Sequence, residues 1–351
     1  MPERGIIGIY DPPSDYMDFS GVHNLRQQFI YKKRGLWPPS VWNNDLDNMT
    51  FTHSIPVGDA LTTYFEQNET NPAGLALSPD GTYLYMVGRG SDDIQQCELT
   101  TPWDLSTATK MTGQNLPMTN ATAGASEGAS RDLKFKPDGT KCWVSGTSQD
   151  GIIEFDLSTA WDITTAWSDT IWSLSLWTTA IGGFDFSADG SKIYVIARGT
   201  GLTAEMRRWT LSTPWELSSV IGSGSQNTYD QSIWMNDNGG ARTSGYVTAS
   251  KDLIQPNGMF IEPTGNFMYL AMNGTPEGVV KLEMTTPHDL TTLKWGATVN
   301  IDGPQLVTSA SGAAVFDYNY NAVDGVALSP DGKYLYISDV AQDRIVMFTN
   351  P

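Results

Sequence analysis

Few residues in this chain have the types and spacing to do chemistry. His23, His53 and His288 are its three histidines, and none stands in a zinc-binding spacing such as H-E-x-x-H. The two cysteines, Cys97 and Cys142, fall where other copies of an internal repeat carry Phe, Trp, Leu, Ile or Met. They therefore read as small core side chains and not as nucleophiles. No G-x-S-x-G elbow, phosphate-cradling glycine loop or dinucleotide fingerprint occurs between a strand and a helix. Calcium on loop oxygens, from Asp92 and Asp93 or from Asp237 between Asn236 and Asn238, has no EF-hand spacing behind it. No catalytic set, metal or cofactor is expected, and the chain reads as not an enzyme. What remains is a group at the starts of repeated strands: Asn71, Arg131 with Asp132, Gly182, Asn257 and Asp324. Of these, Arg131, Asp132 and Asp324 form the candidate polar site.

The elements that would position that site come from the repeat. Five hairpin signatures occur: GLALSPDGTYLY (74–85), DLKFKPDGTKCW (132–143), GFDFSADGSKIY (183–194), GMFIEPTGNFMY (258–269) and GVALSPDGKYLY (325–336). In S-P-D-G the proline presets φ, the aspartate suits the next position and the glycine accepts positive φ, so the chain reverses into an antiparallel pair. Apolar residues two apart align across the copies. Leu75, Leu133, Phe184, Met259 and Val326 form one set, and Leu77, Phe135, Phe186, Ile261 and Leu328 the next. They share one face of a strand, and that face is core.

A third strand follows, with Ile94, Ile152, Met206, Val279 and Ile345 in register, and then a turn of the type TPWDLST leading to a fourth, outer strand. Trp103, Trp161 and Trp215 hold one position in that turn, and His288 takes it in the fourth copy. An indole there would bury apolar area between repeats while its N–H reaches a loop carbonyl. A rival use, an aromatic platform for sugars, would need exposed rings. Four-stranded meanders in tandem stack radially, so the fold class is all-β, a β-propeller of antiparallel blades. Five blades are expected; the long stretch 222–256 leaves room for a sixth. The last copy stops after its third strand, and residues 42–55 read as the missing turn and outer strand. Both chain ends then share one blade, which removes the open edge. The propeller would span residues 42–351.

Residues 1–41 stand apart from the repeat. Ser20 is a possible N-cap, and Val22, Leu25, Phe29 and Ile30 have helical spacing, followed by Gly35 and then Trp37-Pro38-Pro39. The segment reads as an arm with a short amphipathic helix, docking through Leu25, Phe29, Ile30 and Trp37. The joins between blades, about 112–130, 175–181, 222–256 and 300–322, fall on one face of the disc and vary most. Among them Tyr229, Trp234 and Tyr246 are candidate partner contacts.

Composition limits the partners. The formal net charge is −18 with only 21 Lys and Arg, which argues against nucleic acid. No apolar run approaches the roughly 18 residues a membrane span needs, and no export signal opens the chain.

Two stretches carry a resemblance. GVHNLRQQFIYKKRGLWP (21–38) is similar to an N-terminal element of predicted virion proteins of tailed bacteriophages. TTPWDLSTA, LSTPWELSS and SPDGTYLYM resemble the YVTN-like propeller repeats of the same proteins and of bacterial surface proteins. The resemblance implies a virion structural component, a capsid or tail appendage, assembled in the host cytoplasm. Its implied partners are other virion proteins, further copies of itself and a host-surface glycan or protein. A bacterial surface-binding propeller and a lactonase-like or lyase-like propeller enzyme are the alternatives. The enzyme would need a polar constellation at the channel mouth.

Overall fold

The computed structural model describes residues 49–58, 63–118, 127–198, 204–221, 229–235, 255–273, 277–294 and 323–350. They form five four-stranded antiparallel sheets, the blades of a five-bladed propeller. Blade 1 runs Pro72–Leu77, Tyr83–Gly88, Asp93–Leu99 and Ala108–Pro117. Blade 2 runs Ser130–Phe135, Lys141–Gly146, Gly151–Leu157 and Ala166–Ser173. Blade 3 runs Ile181–Phe186, Lys192–Ala197, Glu205–Thr210 and Gln231–Trp234. Blade 4 runs Pro256–Ile261, Phe267–Asn273, Glu277–Met284 and Leu293–Lys294. In blade 5, Val323–Leu328, Tyr334–Asp339 and Arg344–Thr349 are completed by Thr50–Pro56 from the other end of the chain. Thr50 pairs with Thr349 and Pro56 with Arg344, so the ring is closed as expected.

Two of the expected joins shrink. The outer strand of blade 1 continues to Pro117, and the stretch taken as a 222–256 join contains the outer strand of blade 3. The first inserts a bulge after Gln95. The second is only four residues long and carries no turn motif to mark it.

Each inner strand packs beside the next around the axis, with blade 5 against blade 1. The S-P-D-G and TPWDLST turns share one face of the disc, the turn face. The starts of the inner strands lie on the other, the loop face. The core lies between blades: Tyr85, Val87 and Ile94 of blade 1, for example, pack on Leu133, Cys142 and Phe155 of blade 2. Both cysteines are buried and unoxidised, and burial raises their thiol pKa values.

The TPWDLST turn has a structural role. Trp103, Trp161, Trp215 and His288 all adopt positive φ, near 62 to 68°. Each ring lies flat on the turn glycine of its own blade: a Cβ on Gly139 would stand 2.4 Å from the Trp161 indole. The backbone carbonyl of this residue, and not the expected indole N–H, makes a link between blades at three boundaries. Tyr85 donates to Trp161 O at 2.7 Å and Tyr194 to His288 O at 3.0 Å, while Tyr336 donates to Trp103 O and closes the ring. Asp104 caps the turn by accepting from Ser106 N, as Asp162 and Asp289 do in theirs. In blade 3 Glu216 makes no cap and instead pairs with Lys141 of blade 2.

Candidate functional site: the central channel

The inner strands leave their axial edges without a strand partner, so backbone N–H groups point into the channel and favour acceptors there. Four copies carry glycine at the second-layer position (Gly74, Gly183, Gly258, Gly325), where neighbouring backbones come so close that a Cβ on Gly183 would stand 2.3 Å from Asn257 O. Blade 2 carries Asp132 instead. Its carboxylate, fully buried, accepts from Phe184 N at 3.2 Å and Met259 N at 3.3 Å, reaching blades 3 and 4. Its other oxygen meets Lys134 Nζ at 2.8 Å. Burial raises its pKa, against Lys134.

Asp185 does the same one layer nearer the turn face, accepting from Phe186 N at 2.8 Å and Ile261 N at 2.7 Å. Burial pushes its pKa up to about 7, opposed by Lys134 and by these N–H groups. Beyond Asp185 the channel widens into a cavity of about 180 Å³ at the turn face. Leu77, Phe135, Phe186, Ile261 and Leu328 line it, with a rim of prolines that includes Pro79 and Pro330.

The loop-face mouth has a different chemistry. Arg131 and Asp324 occupy one repeat position, with Asn257, Gly182 and Ala73 in the other blades. Sequence reasoning missed two guanidiniums that join them. In the ladders Pro72 pairs with Gly88 and Ile181 with Ala197, so the next residues, Arg89 and Arg198, arrive beside the starts of the inner strands. The signal was present as Arg-Gly after the second strand in both copies. Asn273 holds the same position in blade 4.

Asp324 is fully buried and is the hub of this mouth. Its Oδ2 lies 2.6 Å from Arg89 Nη1, and its Oδ1 accepts from the side-chain amides of Asn257 and Asn273. Arg131 and Arg198 have no such neutralising contact: among the described residues the buried Nε atom of each lacks a hydrogen-bond partner. Burial, then Arg198 and Arg89, pull the Arg131 pKa down to about 10, against Asp324 and Glu127. Burial likewise lowers that of Arg198. Asn257, also fully buried, leaves its Oδ1 without a partner. Gly182 makes room for this arrangement, since a Cβ there would meet Arg198 Cγ at 2.8 Å.

Two further buried carboxylates hold the mouth in place. Glu69 accepts from the N–H groups of Asn71, Gly90 and Ser91, bracketing Arg89. Glu127 does the same for Ala129, Ser148 and Gln149, just before Arg131.

The sequence-derived trio is thus divided: Arg131 and Asp324 share the loop-face mouth, while Asp132 is a structural acceptor deeper in the channel. Tyr229 stacks on Arg207, whose Cζ is 4.3 Å from its ring and 4.5 Å from that of Trp177, on the side of blade 3. Trp234 lies in the outer strand of that blade, paired with Glu205. Tyr246 and the arm residues Leu25, Phe29, Ile30 and Trp37 lie outside the described residues. So do Asp237 and its flanking asparagines. Asp93 accepts from Asn115 at 3.0 Å, and no cluster able to hold a metal occurs among the described residues. Nor does any helix among them have the length and hydropathy to cross a membrane.

No protein-family model matches the chain, and no curated protein matches its sequence. Solved structures do resemble it. A putative 6-phosphogluconolactonase from Bacteroides fragilis is 16% identical with a TM-score of 0.40, covering 68% of this chain and 56% of its own. The periplasmic gluconolactonase of Pseudomonas aeruginosa is 12% identical with a TM-score of 0.41, covering 79% and 66%. The Kuenenia stuttgartiensis hydrazine synthase is 14% identical with a TM-score of 0.42, covering 79% and 83%. The chain thus spans under two thirds of the Bacteroides structure and about two thirds of the Pseudomonas one. Structures named as lactonases among the matches overturn the expectation that the chain is not an enzyme. The likeness itself is one of fold and assigns no reaction.

Proposed function

We propose that the protein is a propeller component of a tailed-bacteriophage virion, held through its N-terminal arm and presenting its loop face for recognition. The observation that carries this reading is the placement of the two ends. Thr50 enters blade 5 at the turn-face end of its strand, the end opposite the arginine-lined mouth. Attachment and recognition are then separated by the depth of the propeller. The 21–38 element and the turn repeats support the same reading by resemblance. Mass spectrometry of purified particles, with cross-linking of intact virions, tests it: the expected result is the chain in stoichiometric amount, with cross-links from Lys32 or Lys33 to another virion protein. Particles that lack the chain would refute the reading.

A second reading is favoured by the mouth itself, where two under-partnered guanidiniums face one carboxylate: a propeller enzyme acting on a phosphorylated sugar lactone or its neutral parent. Ring opening of 6-phosphogluconolactone or gluconolactone, followed as acid release above the spontaneous rate and abolished in Arg131→Gln, would establish it. A rate no faster than buffer would remove it.

A further inference from the structure

We propose that the loop-face mouth is a binding site for a small hydroxylated carboxylate of the uronic-acid class. This deepens the recognition role proposed for that face, and the site stands or falls independently of where the protein resides.

The unpartnered atoms of the mouth define the ligand. Arg131 Nε and Arg198 Nε are buried donors without acceptors, and Asn257 Oδ1 is a buried acceptor without a donor. A protein leaves such groups unpaired at a cost unless water or a ligand completes them. A carboxylate supplies the acceptors that two guanidiniums want, in the planar geometry that arginine matches. A hydroxyl near the carboxylate supplies the donor that Asn257 lacks. Neither half alone completes the set: a bare anion leaves Asn257 unpaired, and a neutral sugar leaves the arginines so.

Charge points the same way. Three of the ten arginines of a chain with net charge −18 gather in one mouth, where the single Asp324 carboxylate makes its direct ion pair with Arg89 and acts on Arg131 and Arg198 only through space. Mutual repulsion among guanidiniums is unfavourable to folding, and an anion relieves it. Arg89, Arg131 and Arg198 are part-exposed at the end of the channel, while Asp324 and Asn257 beneath them are fully buried, forming a floor. Gly182 lets the Arg198 side chain pass close to the backbone, since a Cβ there would stand 2.8 Å from its Cγ.

Isothermal titration calorimetry on the full chain tests this with sodium glucuronate, glucose, acetate and inorganic phosphate. Glucuronate is expected to bind at one site, with glucose and acetate each at least about tenfold weaker, a difference of about 1.4 kcal/mol. Arg131→Gln and Arg198→Gln should each weaken glucuronate about tenfold or more, and the double variant should abolish binding. Both guanidiniums repel each other in the free protein, so these variants should melt no lower than the parent. Gly182→Ala, which displaces Arg198 without removing charge, should weaken binding as well. Arg207→Gln, on the side of blade 3, should leave it unchanged. Methyl glucuronide separates two sources of the ligand: binding equal to that of glucuronate assigns the end of a glycan, and loss of binding assigns the free acid. No glucuronate binding, equal binding of glucose, tighter binding of phosphate, or binding that survives the double variant would each overturn the proposal.

Discussion

The two mouths of one channel obey different rules. At the turn face, equivalent positions carry equivalent residues: the lining of Leu77, Phe135, Phe186, Ile261 and Leu328 is apolar in every blade, and the glycine and aromatic of the turns recur beside it. At the loop face, one repeat position holds Ala73, Arg131, Gly182, Asn257 and Asp324, five different residues. The difference follows from what each end must do. The turn-face end is where each blade stacks on the next, and packing demands the same shape five times. At the loop-face end the starts of the inner strands lie away from the repeated turns, so their residues are free of that demand and can diverge toward chemistry. Departure from the repeat is thus the mark of the site in a molecule of this kind.

Asp132 stands between the two regimes and tests the comparison most severely. It departs from the repeat by replacing glycine, yet it serves structure, tying Phe184 N and Met259 N of other blades to Lys134. Asp132→Ala should cost about 3–5 kcal/mol, because it leaves a buried lysine and two backbone donors without their acceptor. Urea unfolding measures this, and a loss below about 1 kcal/mol would mean that water reaches the channel centre and replaces the carboxylate.

The next largest effect probes the repeated end. Gly139→Val places a branched side chain at φ +75° where a Cβ already meets the Trp161 indole at 2.4 Å. It should cost about 2–4 kcal/mol. Gly113→Ala is its control: its φ is +79° but the space around it is open, so only backbone strain of about 1–2 kcal/mol applies. If the two variants lose the same stability, the indole contact contributes nothing and the recurrence of Trp needs another cause.

This division also explains what was legible in the sequence. The blades were, since S-P-D-G and TPWDLST are local turn chemistry repeated along the chain, and alternation within each strand assigns its faces. Closure by an outer strand within residues 42–55 was legible from the repeat, while its bounds, Thr50–Pro56, were not. The loop-face site was half legible. Arg131 and Asp324 stand at the starts of inner strands, which the repeat itself brings to the axis, but Arg89 and Arg198 follow second strands. Only the ladder register, Pro72 with Gly88 and Ile181 with Ala197, brings them to the axis. The short outer strand Gln231–Trp234 was not legible, because its pairing with Glu205–Arg208 is a tertiary fact without a turn to announce it. Asp132 was placed at the mouth because sequence order cannot tell a residue facing solvent from one folded inward across the axis.

A smaller effect sharpens the account of how blades join at the turn face. Tyr85→Phe removes one hydroxyl that donates to Trp161 O at 2.7 Å while leaving the ring packed on Phe135. The expected loss is about 1 kcal/mol, the net worth of one such hydrogen bond. A loss of several kcal/mol would show that the three links, Tyr85 to Trp161, Tyr194 to His288 and Tyr336 to Trp103, act cooperatively and that blades cannot loosen one at a time.

Two further effects depend on pH, and their signs are opposite. Asp185 has a folded pKa of about 7, raised by burial above the ordinary 3.8, so the stability it allows is fully present below pH 3.8 and is lost as pH rises toward 7. Asp185→Asn should therefore gain on the parent between about pH 4 and pH 7 and hold that gain above it. His288 is the reverse case. Burial, with Lys192 and then Arg208, lowers its pKa to about 4 from 6.5, so the unfolded chain takes up the proton first. Stability is then present above pH 6.5 and lost as pH falls toward 4. His288→Trp restores the residue that Trp103, Trp161 and Trp215 place at the same turn and removes that titration. Relative to the parent, it should gain progressively on acidification from pH 6.5 to pH 4, read as the shift in urea midpoint. If the difference between the two is flat over that range, His288 is protonated in the folded turn as readily as in water, and the fourth turn is more open than its three tryptophan counterparts.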